Sequence, residues 1–143
     1  MKVRKPFNKA AHASNDAIGK QTVLKLLKSM DVEAEENSNP YGVDIILKKG
    51  LGTYEVERRS IWVEDWPFAT VHIPERKTKF LIPEMTYAVV NTDCNKVMLC
   101  SSETILKYEQ LEVPNKAVAT GEYFYDVPLT EWQVYNVGEE KNG

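Results

Sequence analysis

The chain has 143 residues, 43% of them hydrophobic and 27% charged, with a net charge of −3; that size suits one domain burying roughly two-thirds of its unfolded surface. No apolar run approaches the roughly 20 residues that cross a bilayer, and the basic N-terminus lacks the apolar core of a secretory signal, so a cytoplasmic protein without membrane contact is expected. Two cysteines, Cys94 and Cys100, without a CxxC pattern or clustered histidines, argue against a zinc site and for reduced, half-buried thiols.

Residues 1–14 read as a flexible basic arm. Residues 1–30 carry seven lysines and arginines against one aspartate, whereas residues 101–143 carry three lysines against eight acids. Such an uneven distribution permits a directional electrostatic face. Asn15 or Asp16 is placed to cap a helix with Ile18, Val23, Leu24, Leu27 and Met30 at helical spacing and Lys20, Lys25 and Lys28 on another face. A short extended piece and a loop follow in residues 31–40. Strands are expected at about 43–47 and 54–59, joined by the Lys-Lys-Gly-Leu-Gly turn of a hairpin. The aromatic segment 60–70, with Trp62, Trp66 and Phe68, contains Pro67 and fits no single regular element. Pro74 opens a short helix over 75–81, and strands at 86–91 and 96–100 precede a brief helix capped by Ser102. The rest, to about residue 137, has aromatic residues and prolines but little period, and 138–143 reads as a frayed tail. Helix, strands, helix, strands describes one mixed α/β (α+β) domain over residues 15–137.

The hairpin carries the chemistry. Asp44 interrupts Val43, Ile45 and Ile46, while Glu55 and Glu57 flank Val56. Alternation along a strand points both glutamates to one face, and pairing through the glycine turn brings Asp44 toward the same edge. Carboxylates gathered without a partner repel one another and resist ionisation. A divalent cation resolves the conflict: Mg²⁺ takes hard oxygen ligands, keeps several waters, and can activate one of them against a phosphate ester.

Asp44 followed, after ten residues, by Glu55-Val56-Glu57 resembles the active-site signature of the PD-(D/E)XK, or restriction-endonuclease-like, nucleases. The resemblance spans roughly residues 15–100, whose elements also suit that family's αβββαβ core. It implies a metal-dependent nuclease in which Asp44, Glu55 and the carbonyl of Val56 hold Mg²⁺ or Mn²⁺. The polymer is expected to be DNA, with RNA as the alternative; the small size suits a structure-selective or phage-type enzyme, and cutting both strands would require a homodimer. Two departures stand out. Tyr41-Gly42-Val43 lacks the proline common before the aspartate, and Glu57 occupies the lysine position. An E-x-E triplet, as in relatives of the BamHI restriction enzyme, makes Glu57 a candidate general base; alternatively Lys77 or Arg76 supplies the missing cation. Arg59, which shares the parity of Glu55 and Glu57, is a candidate phosphate contact together with Arg76, Lys77 and Lys79.

Plainer readings stand beside these. Asp44, Glu55 and Glu57 would equally serve as surface acids paired with Lys48, Lys49, Arg58 or Arg59. Asp16 reads better as a cap than as an extra acid, and His72, alternating with Val71 and Ile73, reads as structural. Trp62, Trp66 and Phe68 fit core or an interface better than base stacking. Two other functions therefore accompany the nuclease: a catalytically inactive nuclease-like module that binds nucleic acid or protein, and an unrelated α/β domain with salt-bridged acids.

Overall fold

The computed structural model describes residues 9–39, 42–50, 52–108, 110–115 and 118–138, with side chains described outside 9–16, 75–76 and 110–122. Most of the expected arm (1–8), Tyr41, the tail (139–143) and the side chains of Asp16 and Arg76 lie outside the described residues. The chain is a mixed α+β protein. Helix α1 (Lys9–Ser29) is followed by strands β1 (Ala34–Glu36), β2 (Ile45–Leu47), β3 (Thr53–Arg58) and β4 (Thr70–Pro74). A 3-10 helix, Glu75–Phe80, leads into β5 (Met85–Val90), β6 (Lys96–Ser101) and α2 (Ser102–Leu106). Strands β7 (Gln110–Asn115), β8 (Val118–Pro128) and β9 (Gln133–Asn136) complete it.

Six strands form the main sheet in the order β1-β2-β3-β5-β6-β9, and β4-β8-β7 form a second, three-stranded sheet. All neighbours in the main sheet are antiparallel except β3 and β5. A parallel pair needs a crossover, and in most proteins a helix supplies it. Here β4 and the 3-10 helix fill that place. The first four strands of the main sheet thus keep the expected order of elements, with an extra strand inserted before the second helical segment.

Alternation in the main sheet feeds two cores. On one face Ile45, Val56, Ala88, Val90 and Val97 pack under Val23, Leu26 and Leu27 of α1. On the other, Met85, Tyr87, Val89 and Met98 meet Val71, Ile73, Tyr125 and Val127 of the second sheet, with Trp62 and Trp132 filling the margins. The result is three layers: helix, six-stranded sheet, small sheet.

Several local expectations need correcting. Helix α1 spans Lys9–Ser29, so Asn15 and Asp16 lie within it and not at its N-terminus. Its buried face is Gly19, Thr22, Val23, Leu26 and Leu27, leaving Ile18 and Met30 exposed. A Cβ on Gly19 would stand 3.5 Å from Val56 Cγ1, so the helix passes close over β3 at that point. Ser101, not Ser102, caps α2, its hydroxyl accepting from Thr104 N–H. The segment 110–137, which shows little period, supplies three strands. Among the described residues no helix is long and apolar enough to cross a membrane. Cys94 and Cys100 are free thiols.

Candidate active site

The β2–β3 hairpin turns at Gly50, whose φ of +90° lies in the region that glycine occupies without steric cost. Its register pairs Ile45 with Tyr54 and Ile46 with Thr53. Continued by one residue, that register sets Asp44 opposite Glu55. The ladder stops there instead, because Asp44 turns its side chain into the gap. Its Oδ2 accepts the Val56 N–H at 2.8 Å, while its own N–H donates to Tyr54 O at 3.1 Å. A carboxylate thus takes the place of a strand partner, and this fixes it against β3.

Glu55 points into the layer between the two sheets and is only 4% exposed. Lys77, from the 3-10 helix, donates to its Oε1 at 3.1 Å. Its Oε2 is buried and accepts no hydrogen bond from the described residues. Burial and the charge of nearby Asp44 push the Glu55 carboxyl up to about 7, against the opposing pull of Lys77. Asp44 Oδ1 lies 3.5 Å from Lys20 Nζ, which α1 brings in beside its close passage at Gly19. Two acids therefore meet two lysines carried on separate elements. Asp44, Lys77 and Lys20 are each partly exposed, so the cluster opens to solvent on the side away from Glu55.

The third carboxylate does not join them. Glu57 shares the face of Glu55, as alternation requires, but both its oxygens are engaged elsewhere. Arg59 Nε donates to Oε1 at 2.9 Å, Arg59 Nη2 to Oε2 at 3.2 Å, and Tyr87 Oη to Oε2 at 2.5 Å. Burial pushes the Glu57 carboxyl up, but the Arg59 charge and the bonds from Arg59 and Tyr87 outweigh it and hold it below the usual range. The phenol of Tyr87 is driven well above its ordinary value by burial and by Glu57. Accordingly, among the described residues no three acids, histidines or cysteines converge as one ligand group. The cluster is a pair, Asp44 and Glu55.

Arg59 is also pinned by a bond to His72 O at 2.5 Å and lies over the Trp66 ring. It is a brace for Glu57 rather than a free phosphate contact. Arg58, facing the other way, bonds Thr92 O. Lys79 is exposed and stands 4.9 Å from the Phe80 ring centroid, beside Lys77 at 5.6 Å from the same ring. His72 Nε2 lies 3.0 Å from Asp126 Oδ1 in the second sheet, remote from the acid pair in its bonding. Trp62 is core, Trp66 half-buried and Phe68 exposed. Lys20 and Tyr87 are the site's unexpected members. Lys20 was legible only as part of a basic helix face, and Tyr87 carried no signal, since its role depends on the β3–β5 pairing of Glu55 with Tyr87.

No protein-family model matches the chain. Nor does any curated protein match it in sequence.

Proposed function

We propose that the chain is a metal-dependent nuclease of the restriction-endonuclease-like kind, hydrolysing phosphodiester bonds in DNA or, alternatively, RNA. The observation that carries this reading is the buried Oε2 of Glu55, which has no hydrogen-bond partner among the described residues, beside Asp44, with Lys77 on the other oxygen of the same carboxylate. A buried acid acceptor left without a donor is costly. A hard cation shared with Asp44 satisfies it, so the residues present fit Mg²⁺ or Mn²⁺. Asp44 and Glu55 would hold the ion, with the Val56 carbonyl as a further donor, and when bound it supplies charge stabilisation at a phosphate oxygen and acidifies a coordinated water.

The chain's own groups then divide the work. Lys77 steadies Glu55 and, being partly exposed, presents its remaining ammonium protons to a phosphate oxygen or the attacking water. It thereby fills the role of the lysine missing from position 57. Glu57 is a support in this scheme, because a carboxylate holding three hydrogen bonds and kept below the usual range makes a weak base. Lys79 and Lys20 offer positive charge at the rim for the polymer backbone. One acidic pair cuts one strand, so double-strand cleavage would take two copies. A cytoplasmic location belongs to the same proposal.

A second reading has an observation of its own. Lys20 at 3.5 Å and Lys77 at 3.1 Å can balance Asp44 and Glu55 without any ion, which suits a non-catalytic module that binds nucleic acid or protein. Metal titration separates the two. For the nuclease, Mg²⁺ or Mn²⁺ raises the melting temperature and supports cleavage of plasmid, single-stranded or branched DNA. Asp44→Ala abolishes both effects while remaining folded. Absence of any metal response together with absence of cleavage would leave the binding module.

A further inference from the structure

Beyond the acids, the end of β3 leads to a concave feature. Arg59, Ile61, Trp66, Phe68, Thr70 and His72 line a pocket of about 240 Å³. We propose that this pocket receives an unpaired nucleobase, so that the polymer whose backbone reaches Asp44 and Glu55 is single-stranded or locally opened. This deepens the nuclease reading and rests on it.

The walls are aromatic and held in place. Trp66 and Phe68 meet edge to face, with centroids 5.9 Å apart and planes at 74°. Trp66 Nε1 donates to Thr70 O at 2.8 Å, which fixes the indole and spends its only donor. Arg59 is tied to Glu57 and to His72 O, and its guanidinium lies 5.6 Å from the Trp66 centroid. Phe68 is 56% exposed, and Ile61 beside it is exposed as well. A large aromatic held at the mouth of a pocket in water presents a π-surface awaiting a flat partner.

Charge selects the kind of partner. The Arg59 cation is matched by Glu57, and His72 sits against Asp126, so the pocket does not favour a phosphate. What suits it is planar, uncharged and polar at the rim, where Thr70 and His72 alternate on β4 with the core residues Val71 and Ile73. A nucleobase has those properties, and stacking on aromatic side chains and arginine planes is how unpaired bases are gripped. Bases within a duplex have their faces covered by their neighbours and must be extruded first.

Spacing ties the pocket to the acids. Four residue steps, along β3 and one residue past its end, carry the chain from Glu55 to Arg59, at most about 13 Å at about 3.3 Å per residue. That equals roughly four stacked nucleotide steps at 3.4 Å each, fewer if the strand is stretched. A base seated in the pocket thus leaves a phosphate a few nucleotides along the strand within reach of the acid pair.

The test is fluorescence anisotropy with labelled oligonucleotides in EDTA, where no cleavage intervenes. The probes are a DNA strand, the RNA strand of the same sequence, the blunt DNA duplex, and the DNA strand with abasic positions. The wild-type chain is expected to bind a strand more tightly than the duplex. Phe68→Ala, at an exposed position and checked by an unchanged melting temperature, is expected to weaken strand binding about five-fold or more. Abasic positions should cost the wild type a similar factor and the variant nothing further. Equal binding of the strand by wild type and Phe68→Ala, equal binding of strand and duplex, or binding of neither would overturn the pocket. Cleavage in Mg²⁺ reports separately. A chain that cuts DNA but ignores Phe68→Ala keeps the nuclease and loses the pocket, whereas Phe68-dependent strand binding without cleavage does the reverse.

Discussion

Glu55→Gln replaces a buried carboxyl by its uncharged isostere and leaves an oxygen to accept from Lys77. The wild-type carboxyl is pushed from its ordinary value of 4.5 to about 7 by burial and by Asp44. At about 1.4 kcal/mol per pKa unit, ionising it in the folded protein costs on the order of 3 kcal/mol more than in the unfolded chain. Between these two values the folded state holds a proton that the unfolded state has released, so stability falls as pH rises. The contribution is complete below about 4.5 and gone above about 7. In EDTA, urea unfolding of the wild type should therefore show a loss of on the order of 3 kcal/mol between pH 5 and pH 8 that Glu55→Gln does not share. At pH 5 the two proteins should be nearly equal. At pH 8 the variant should melt higher, by roughly 6–12 °C for a chain of this size. Adding Mg²⁺ at pH 8 should return stability to the wild type and leave Glu55→Gln unmoved. Parallel pH profiles for the two proteins in EDTA would refute the reasoning, since Glu55 would then ionise as though solvated.

Lys77→Met removes the cation on Glu55 Oε1; cleavage should fall by about 10²- to 10³-fold in single-turnover assays, while the Mg²⁺-dependent rise in melting temperature persists. Tyr87→Phe deletes a donor to the buried, ionised Glu57 and should cost about 1.5–3 kcal/mol in urea unfolding, without altering the metal response. Gly19→Ala places a Cβ in ordinary contact with Val56 Cγ1, at 3.5 Å, inside a helix where glycine is unfavourable. It should stabilise the protein by roughly 0.5–1 kcal/mol, measured as a higher urea midpoint.

What the sequence disclosed was local. The hairpin followed from alternation and a glycine turn, and those two facts suffice to bring Asp44 to Glu55. Lys77 was visible as a cation shortly after a proline that starts a helical turn. The fate of Glu57 was hidden, because its partner Tyr87 arrives through a parallel pairing set by a crossover, thirty residues along the chain. The crossover itself was obscure. Its strand β4 ends at a proline and pairs with β8, in a segment whose aromatic residues mark no period. The buried face of α1 departs from its apolar spacing because Gly19, which carries no hydrophobic signal, passes close over β3, and Ile18 and Met30 face solvent. Trp66 and Phe68 read from the sequence as core or interface; with Arg59 and His72 beside them they line a pocket.

The cation that serves Glu55 rides on a segment separate from the strand bearing the acids, and the next residue on that segment, Thr78, shares a 2.8 Å hydrogen bond with Tyr125 Oη of β8. Lys77 is in effect mounted on the far hairpin. Glu57, bonded by Arg59 and by Tyr87 of β5, ties two strands of the main sheet together. Changes at Tyr125, on the second sheet, would then detune the charge balance around Glu55 by shifting its counterion, so the second sheet acts as an adjusting screw for the first.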